Sequence, residues 1–475
     1  MNKNKIKNNK GITLVALVVT IIILIILAAV SISLVLGEHG LLKMARDGRD
    51  NYLIAANEEQ AQLGQLEDQW DSLINGGSTP PPSGDELDAT GNIRITNFSI
   101  AGTPVTDVPL PSSDFEKVPG TEIDNSYVAR GKANTDYAGD EFVWVPVDKN
   151  QQFSVKIEGS GSITSVTLTN PVGDTKSIAS NITAPQNLTG ITPTVEDKVY
   201  NGEYKVTVTP AEGDAVEKTL DVYSLYAVNV DLTLAYFKAI LGDDYESNMQ
   251  QYFGGEQGYI SSFTEPTDND INYSARVATN GGFWIGRYEA SYKIVGTGED
   301  VNEMAASVAS TSTTYDGNTD NLSTGMLWNF ISRTSALTTA KTYNTTLKSS
   351  LPTGAAWDRT LGWIYEKRGL TGKDLTAITN NSSSWGNYSD DTLTNGSNGL
   401  INTGSTNETM ANNIYDLAGN LGEWSTENYT EGGSTNPVNR GGFCFNSGSV
   451  FPATHRFSNS DDALGIIGFR VVLYK

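Results

Sequence analysis

The alternation of apolar and polar positions divides the chain into stretches of different texture. Residues 12–36, ITLVALVVTIIILIILAAVSISLVL, carry no charge. As a helix rising about 1.5 Å per residue they are long enough to cross a hydrocarbon layer of about 30 Å. Lys3, Lys5, Lys7 and Lys10 precede the run with no acid among them, so the expected orientation keeps the N-terminus cytoplasmic and sends the rest outside. The run is too long for a cleaved secretory signal and lacks a small-x-small exit. Between 41 and 74 a row of Leu53, Ala56, Gln60, Leu63, Leu66, Trp70 and Leu73 returns at helical spacing and predicts a helix continuing past the membrane. NGGSTPPPSGDELDATGN (75–92) then ends all helical patterning and reads as a semi-rigid spacer.

Beyond the spacer the period changes from helical to alternating. EFVWVPV (141–147) predicts a buried strand ending at Pro146. Residues 151–224 hold short Val/Thr-rich runs, SVKIEG, SVTLTN, EYKVTVTP and KTLDVY, separated by Gly, Asn and Asp. Asn201-Gly202 predicts a tight turn. This spacing resembles that of an immunoglobulin-like sandwich, and nothing in it suggests chemistry. From 225 onward LTLAYFKAIL predicts a helix. Trp and Gly then recur in GGFWIGRYEAS (281–291), TGMLWNFIS (324–332), LPTGAAWDRTLGWI (351–364), NNIYDLAGNLGEWS (412–425) and the RGG…GFR frame at 440–470. Each couples an aromatic to turn glycines and most to a charged residue, which predicts an irregular fold held by buried aromatics.

Composition narrows the function. At 475 residues the chain is too long for one ordinary core. Acids outnumber bases 55 to 32, for a net charge of -23, which argues against nucleic acid as a partner. One Cys excludes an intrachain disulfide or a Cys-rich zinc site. Two His, His39 and His455, argue against His-ligated metals and Ser-His-Asp catalysis.

Two resemblances sharpen this picture. KGITLVALVVTIIIL resembles the leader of type IV pilins and pseudopilins, which implies cleavage after Gly11 by a prepilin peptidase and Ile12 as the mature N-terminus. Pilins usually carry Glu at the fifth mature position, where this chain has Ala16. That departure favours a minor or tip subunit, or a plain membrane anchor, over a mid-filament one. The second resemblance is carried by FVWVPV together with the Trp/Gly set pieces. These resemble the formylglycine-generating-enzyme (sulfatase-modifying factor) family, a variant of the C-type lectin fold, over 93–147 and 225–475. The expected fold is therefore α+β. It comprises a leader (1–11), a transmembrane pilin-like helix (12–74), a linker (75–92) and a first part of the lectin-like head (93–150). An immunoglobulin-like insertion (151–224) and the remainder of the head (225–475) follow.

The family's enzymes use two Cys inside the RGG–GFR segment, at the positions of Asn446 and Phe451 here. Cys444 is out of register and has no partner, so neither copper nor that oxidation is expected. In family members the YDLAGNLGEW segment wraps calcium, and the matching donors are Asp416, Gly419, Leu421 and Glu423. A tight turn capped by Asp416 is the alternative. Arg456 and Arg470 match structural positions of the family.

Residues 443–467 contain no Lys, Glu, Gln, Met or Trp, whereas the stretch just before them holds Glu423, Trp424, Glu427 and Glu431. Those five residue types share codons ending in a purine. An Asn codon ending in a pyrimidine and randomised at its other two bases never reaches them. That is the signature expected of a diversity-generating retroelement, whose target proteins carry a variable region at this place in this fold; an ordinary Ser/Asn/Gly loop in a chain already poor in Lys and Glu is the alternative. The expected binding face is Phe443, Cys444, Phe445, Ser447, Val450, Phe451, His455, Phe457, Ser458, Ser460, Leu464 and Ile466, with some of the apolar ones in the core. The expected function is non-catalytic binding of a surface ligand, protein or glycan, by an extracellular head on a single-pass membrane anchor. A pilus or pseudopilus subunit is the alternative and an enzyme of other chemistry the third.

Overall fold

A computed structural model describes residues 92–475, apart from 124–125, 230–233, 235–236, 239–240, 254–255, 266–270, 298–299, 314–321, 345, 392 and 394–398. The expected leader, Gly11–Ile12 cleavage site, membrane helix and most of the linker lie outside these residues, as does much of the helix expected at 232–241. Among the described residues no helix is long and apolar enough to cross a membrane.

The first sheet is built from β1 (Arg94–Thr103), β5 (Lys149–Thr169), β6 (Thr175–Ile191), β7 (Tyr200–Pro210), β8 (Val216–Val222) and β9 (Val228–Asn229). It is one six-stranded sheet in the order β1-β5-β7-β8, with β6 on the other edge of β5 and β9 beside β7. Every second side chain of β5 and β7 (Phe153, Val155, Ile157; Tyr204, Val206, Val208) is buried in one cluster, as period-two patterning requires. Three expectations are corrected here. SVKIEG and SVTLTN are parts of a single strand, bent where its register with β6 shifts between Ile157 and Gly161. Gly159 sits at this bend with φ 109°, and a Cβ there would lie 2.4 Å from the Asn92 carbonyl oxygen. One continuous sheet thus replaces the two separate sheets of a sandwich. Its two ends curl together, Lys218 Nζ donating to the Thr96 carbonyl at 3.1 Å. β1, expected in the head, pairs with β5 instead. Asn201-Gly202 lies within β7 rather than at a turn. Asn201 is buried and exchanges hydrogen bonds with Leu225 (Nδ2 to O 2.9 Å; Leu225 N to Oδ1 3.0 Å).

The second sheet holds β2 (Phe115–Lys117), β3 (Val128–Gly131), β4 (Glu141–Pro146), β11 (Gly282–Gly286), β14 (Ser349–Ser350) and β21 (Val472–Leu473). It runs antiparallel in the order β14-β21-β11-β4-β3-β2, so the FVWVPV, GGFWIG and C-terminal set pieces are hydrogen-bonded neighbours. Alternation in β4 sends Phe142 and Trp144 to one face and Val143 and Val145 to the other. Helix α4 (Arg333–Tyr343) covers the first face through Ala336, Ala340 and Tyr343. Helix α5 (Gly354–Glu366) covers the second through Trp357, Leu361 and Ile364. Both helices start at side-chain caps, Ser332 and Thr353. Smaller helices are α1 (Tyr245–Phe253), α2 (Glu256–Ser262), α3 (Tyr273–Asn280), α6 (Arg368–Thr371) and α7 (Leu375–Thr379). Two short hairpins pair β12 (Ser291–Thr297) with β13 (Asp300–Ala306) and β15 (Met410–Ala411) with β16 (Ile414–Tyr415).

The third sheet carries the region of interest. β17 (Gly422–Glu431) pairs with β18 (Ser434–Arg440) and β10 (Phe263–Thr264), β18 pairs with β19 (Arg456–Ser458), and β20 (Ile467–Gly468) runs parallel to β17.

Candidate binding face

The stretch 441–455 leaves the end of β18 and returns as β19, so it must be held by something other than a ladder. Its base is an ion-pair quartet. Arg440 and Arg456 are direct cross-strand partners, a placement that like charges make costly unless compensated. Asp358 of α5 and Glu427 of β17 compensate it. Arg440 donates from Nη2 to Asp358 Oδ1 at 2.6 Å and from Nη1 to Glu427 Oε2 at 2.8 Å. Arg456 donates from Nε to Glu427 Oε1 at 2.9 Å and from Nη2 to Asp358 Oδ2. All four residues are buried. Burial alone would raise the Glu427 carboxyl; the Arg440 and Arg456 charges overcome it and hold it below the usual range.

Above the quartet the loop is held mainly through its main chain by the segment 382–390. Ser389 N and Oγ both donate to the Asn446 carbonyl at 2.8 Å. Ser382 N donates to the Gly448 carbonyl at 3.0 Å, and Gly448 N donates to Asp390 Oδ1 at 2.8 Å. Ala453 N donates to Ser382 Oγ at 3.0 Å, and the Ala453 carbonyl accepts from Trp357 Nε1 at 3.0 Å. Cys444 N donates to the Asn420 carbonyl at 3.0 Å. Ser447 Oγ, bonded to Asp390 Oδ2, joins this brace through its side chain. A Cβ at Gly448 would stand 2.5 Å from Ser383 N, so that position admits only Gly.

The side chains divide accordingly. Phe445 (59% exposed), Val450 (43%) and Phe457 (41%) project outward. They are three of the five large hydrophobic side chains exposed among the described residues, the others being Ile294 and Leu370. Phe457 faces out because it alternates with the inward Arg456 along β19. Ser460 is exposed as well, while Phe443, Ser447, Phe451, His455 and Ser458 are half-buried. The rings form a continuous patch, with centroids 6.5 Å apart for Phe443–Phe451, 4.6 Å for Phe451–His455 and 6.0 Å for His455–Phe457. Burial, and then the Arg440 charge, lower His455 to about 3, so it is neutral near pH 7. Three expected face residues do not belong to it. Cys444 is fully buried, and Leu464 and Ile466 pack against the α4-side core. The Cys444 thiol is pushed up to about 12, by burial first and then by the Glu289 charge, which keeps it from being a thiolate.

The YDLAGN turn lies under the same loop. Asp416, Gly419 and Asn420 take positive φ (58°, 71° and 60°). Arg470 donates from Nε to Glu423 Oε2 at 2.6 Å and from Nη2 to Oε1, and it also reaches the Gly286 and Tyr415 carbonyls at 3.0 Å. Asp416 Oδ2 accepts from Thr403 Oγ1 at 2.7 Å and Gly404 N at 3.3 Å. Glu289 accepts from Leu421 N at 3.0 Å and Asn420 Nδ2 at 2.5 Å. Burial, and then the Asp416 and Glu423 charges, raise the Glu289 carboxyl well above its usual range. As a calcium cage, Asp416, Gly419, Leu421 and Glu423 do not fit this arrangement, because both Glu423 oxygens are already matched by a guanidinium. Among the described residues no group of three or more His, Cys, Asp or Glu is placed to hold a metal ion.

Sequence patterning missed Asp358, Asp390 and Ser382. Asp358 stands in an otherwise apolar helix face, which is a usable signal for a buried partner of Arg. The Ser/Asn-rich run around Asp390 offers none.

Two solved structures show weak similarity to the chain. "Crystal Structure of CarF" covers 41% of this chain and 87% of its own at 19% identity, with a TM-score of 0.27. "Treponema denticola variable protein 1" covers 75% and 100% at 13% identity, with a TM-score of 0.23. No curated protein matches. Residues 334–475, from α4 to the C-terminus and so including the whole loop and its brace, match the family model of the sulfatase-modifying factor enzyme 1-like domain.

Proposed function

We propose that the chain is a non-catalytic ligand-binding protein whose binding face is the 443–460 surface, diversified by a retroelement and displayed outside the cell on the apolar segment 12–36. The supporting observation is the division of labour in the loop. Its main chain is bonded to the segment 382–390 and to Trp357, outside the varied stretch, while Phe445, Val450 and Phe457 face solvent. A loop framed by main-chain bonds keeps its shape when its side chains change. Exposed aromatics that would be a liability on an inert surface are useful anchors on a binding one. The absence from 443–467 of the five residue types whose codons all end in a purine adds a genetic reason for the same stretch to vary.

Sequencing this locus in sister isolates tests the proposal. Differences should fall at the codons of Phe443, Phe445, Ser447, Ser449, Val450, Phe451 and Phe457, and spare Gly448 and Arg456. A nearly identical template repeat and a reverse transcriptase should lie nearby. A run as constant as YDLAGN across isolates contradicts diversification.

A further inference from the structure

Charge around the exposed aromatics is one-sided. Between Lys373 and Arg470 the only basic residues are Arg440 and Arg456, and both are buried and matched by Asp358 and Glu427. Two cations from neighbouring segments are engaged elsewhere. Arg333 donates to Asn428 and the Thr426 carbonyl and feels the charge of Asp461, and Lys373 stands 5.5 Å over the Trp385 ring. Exposed acids remain: Asp390 beside the 446–450 turn, and Asp461 and Asp462 after β19. His455 is neutral. Among the described residues the patch is therefore Phe and Val bordered by carboxylates, with no cation projecting from it.

We infer that the occupant of this face is a polypeptide surface carrying aliphatic or aromatic side chains bordered by Lys or Arg, an inference that rests on the binding-face reading above. Charge complementarity excludes polyanions as ligands and favours a cationic partner, whose approach is steered by the whole chain's net charge of -23. Phe and Val offer apolar contact without hydrogen-bond donors, which suits side-chain anchors of a protein better than the hydroxyls of a sugar.

The test pans a phage library of random peptides on the full-length chain in detergent, in parallel with a neutral-glycan array. Enriched peptides are expected to combine apolar residues with a net positive charge. Raising the salt from about 50 to about 300 mM should slow their association at least about tenfold. The F445S/F457S double variant should abolish the enrichment. Enriched peptides that are uncharged or acidic, or retention of glycans and not peptides through Phe445 and Phe457, overturn the cationic partner while leaving the face a binding face. Enrichment that survives F445S/F457S overturns both readings. Retention of neither peptides nor glycans overturns the inference.

Discussion

Arg456 and Phe457 are sequence neighbours with opposite duties. The guanidinium of Arg456 sits in a buried quartet, and removing it leaves Asp358 and Glu427 with uncompensated charge. Arg456→Ser should cost about 3–5 kcal/mol, the range for breaking a buried ion pair by deleting one partner. Phe457→Ser should stay within about 1 kcal/mol, because the ring is 41% exposed. Chemical denaturation of the two variants checks the contrast, and equal losses would contradict it. His455 supplies a pH signature. Its folded-state value, lowered to about 3, lies below an unfolded value of about 6.5. The unfolded chain therefore binds a proton that the folded chain does not, and stability falls as pH drops from about 6.5 toward about 3. His455→Phe should flatten the stability difference between about pH 7 and about pH 5 by something on the order of 1 kcal/mol, allowing for the half-exposed ring. An unchanged pH profile in that variant would count against the burial argument.

At the scale of elements, the brace is the device that separates frame from display. Asp390→Ala removes the acceptor for Gly448 N and Ser447 Oγ. It should speed amide hydrogen exchange at Gly448 and its neighbours while lowering the melting temperature only slightly, since local opening is less costly than global unfolding. Unchanged exchange there would show that the loop is framed by something else. The elements also show what sequence can and cannot report. β4 and the burial of the Trp residues in the set pieces were legible, because strand alternation and buried aromatics are local signals. The curled first sheet was not. A bend at Gly159 makes one strand look like two, and the partner of β1 lies about fifty residues downstream, beyond any local pattern. Asn201-Gly202 misled because the φ of 136° at Gly202 serves a strand pinned to Leu225, not a hairpin. In the site, the outward Phe445 and Phe457 were legible as costly apolar groups, whereas Cys444, Leu464 and Ile466 could not be told from them without knowing which way the loop turns. Asp390 was invisible, because its role is to hold another segment's main chain.

For the whole molecule, the three sheets and their helices form a frame on which a single loop can change. With Glu423 matched by Arg470, added calcium should leave the melting temperature of the full-length chain where it is in chelator, because only a ligand favouring the native state stabilises it. A rise of several degrees would mean that Asp416 and Glu423 rearrange into a cage. The most direct measurement of the central claim is a library in which Phe445, Ser447, Val450 and Phe457 are jointly replaced by residues with pyrimidine-ending codons, and each member's stability is read by protease resistance. The account predicts that most members resist protease within about 1 kcal/mol of the parent, while a matched library at Cys444, Ala453, Thr454 and Arg456 collapses. Collapse of both libraries alike would contradict a loop built to vary.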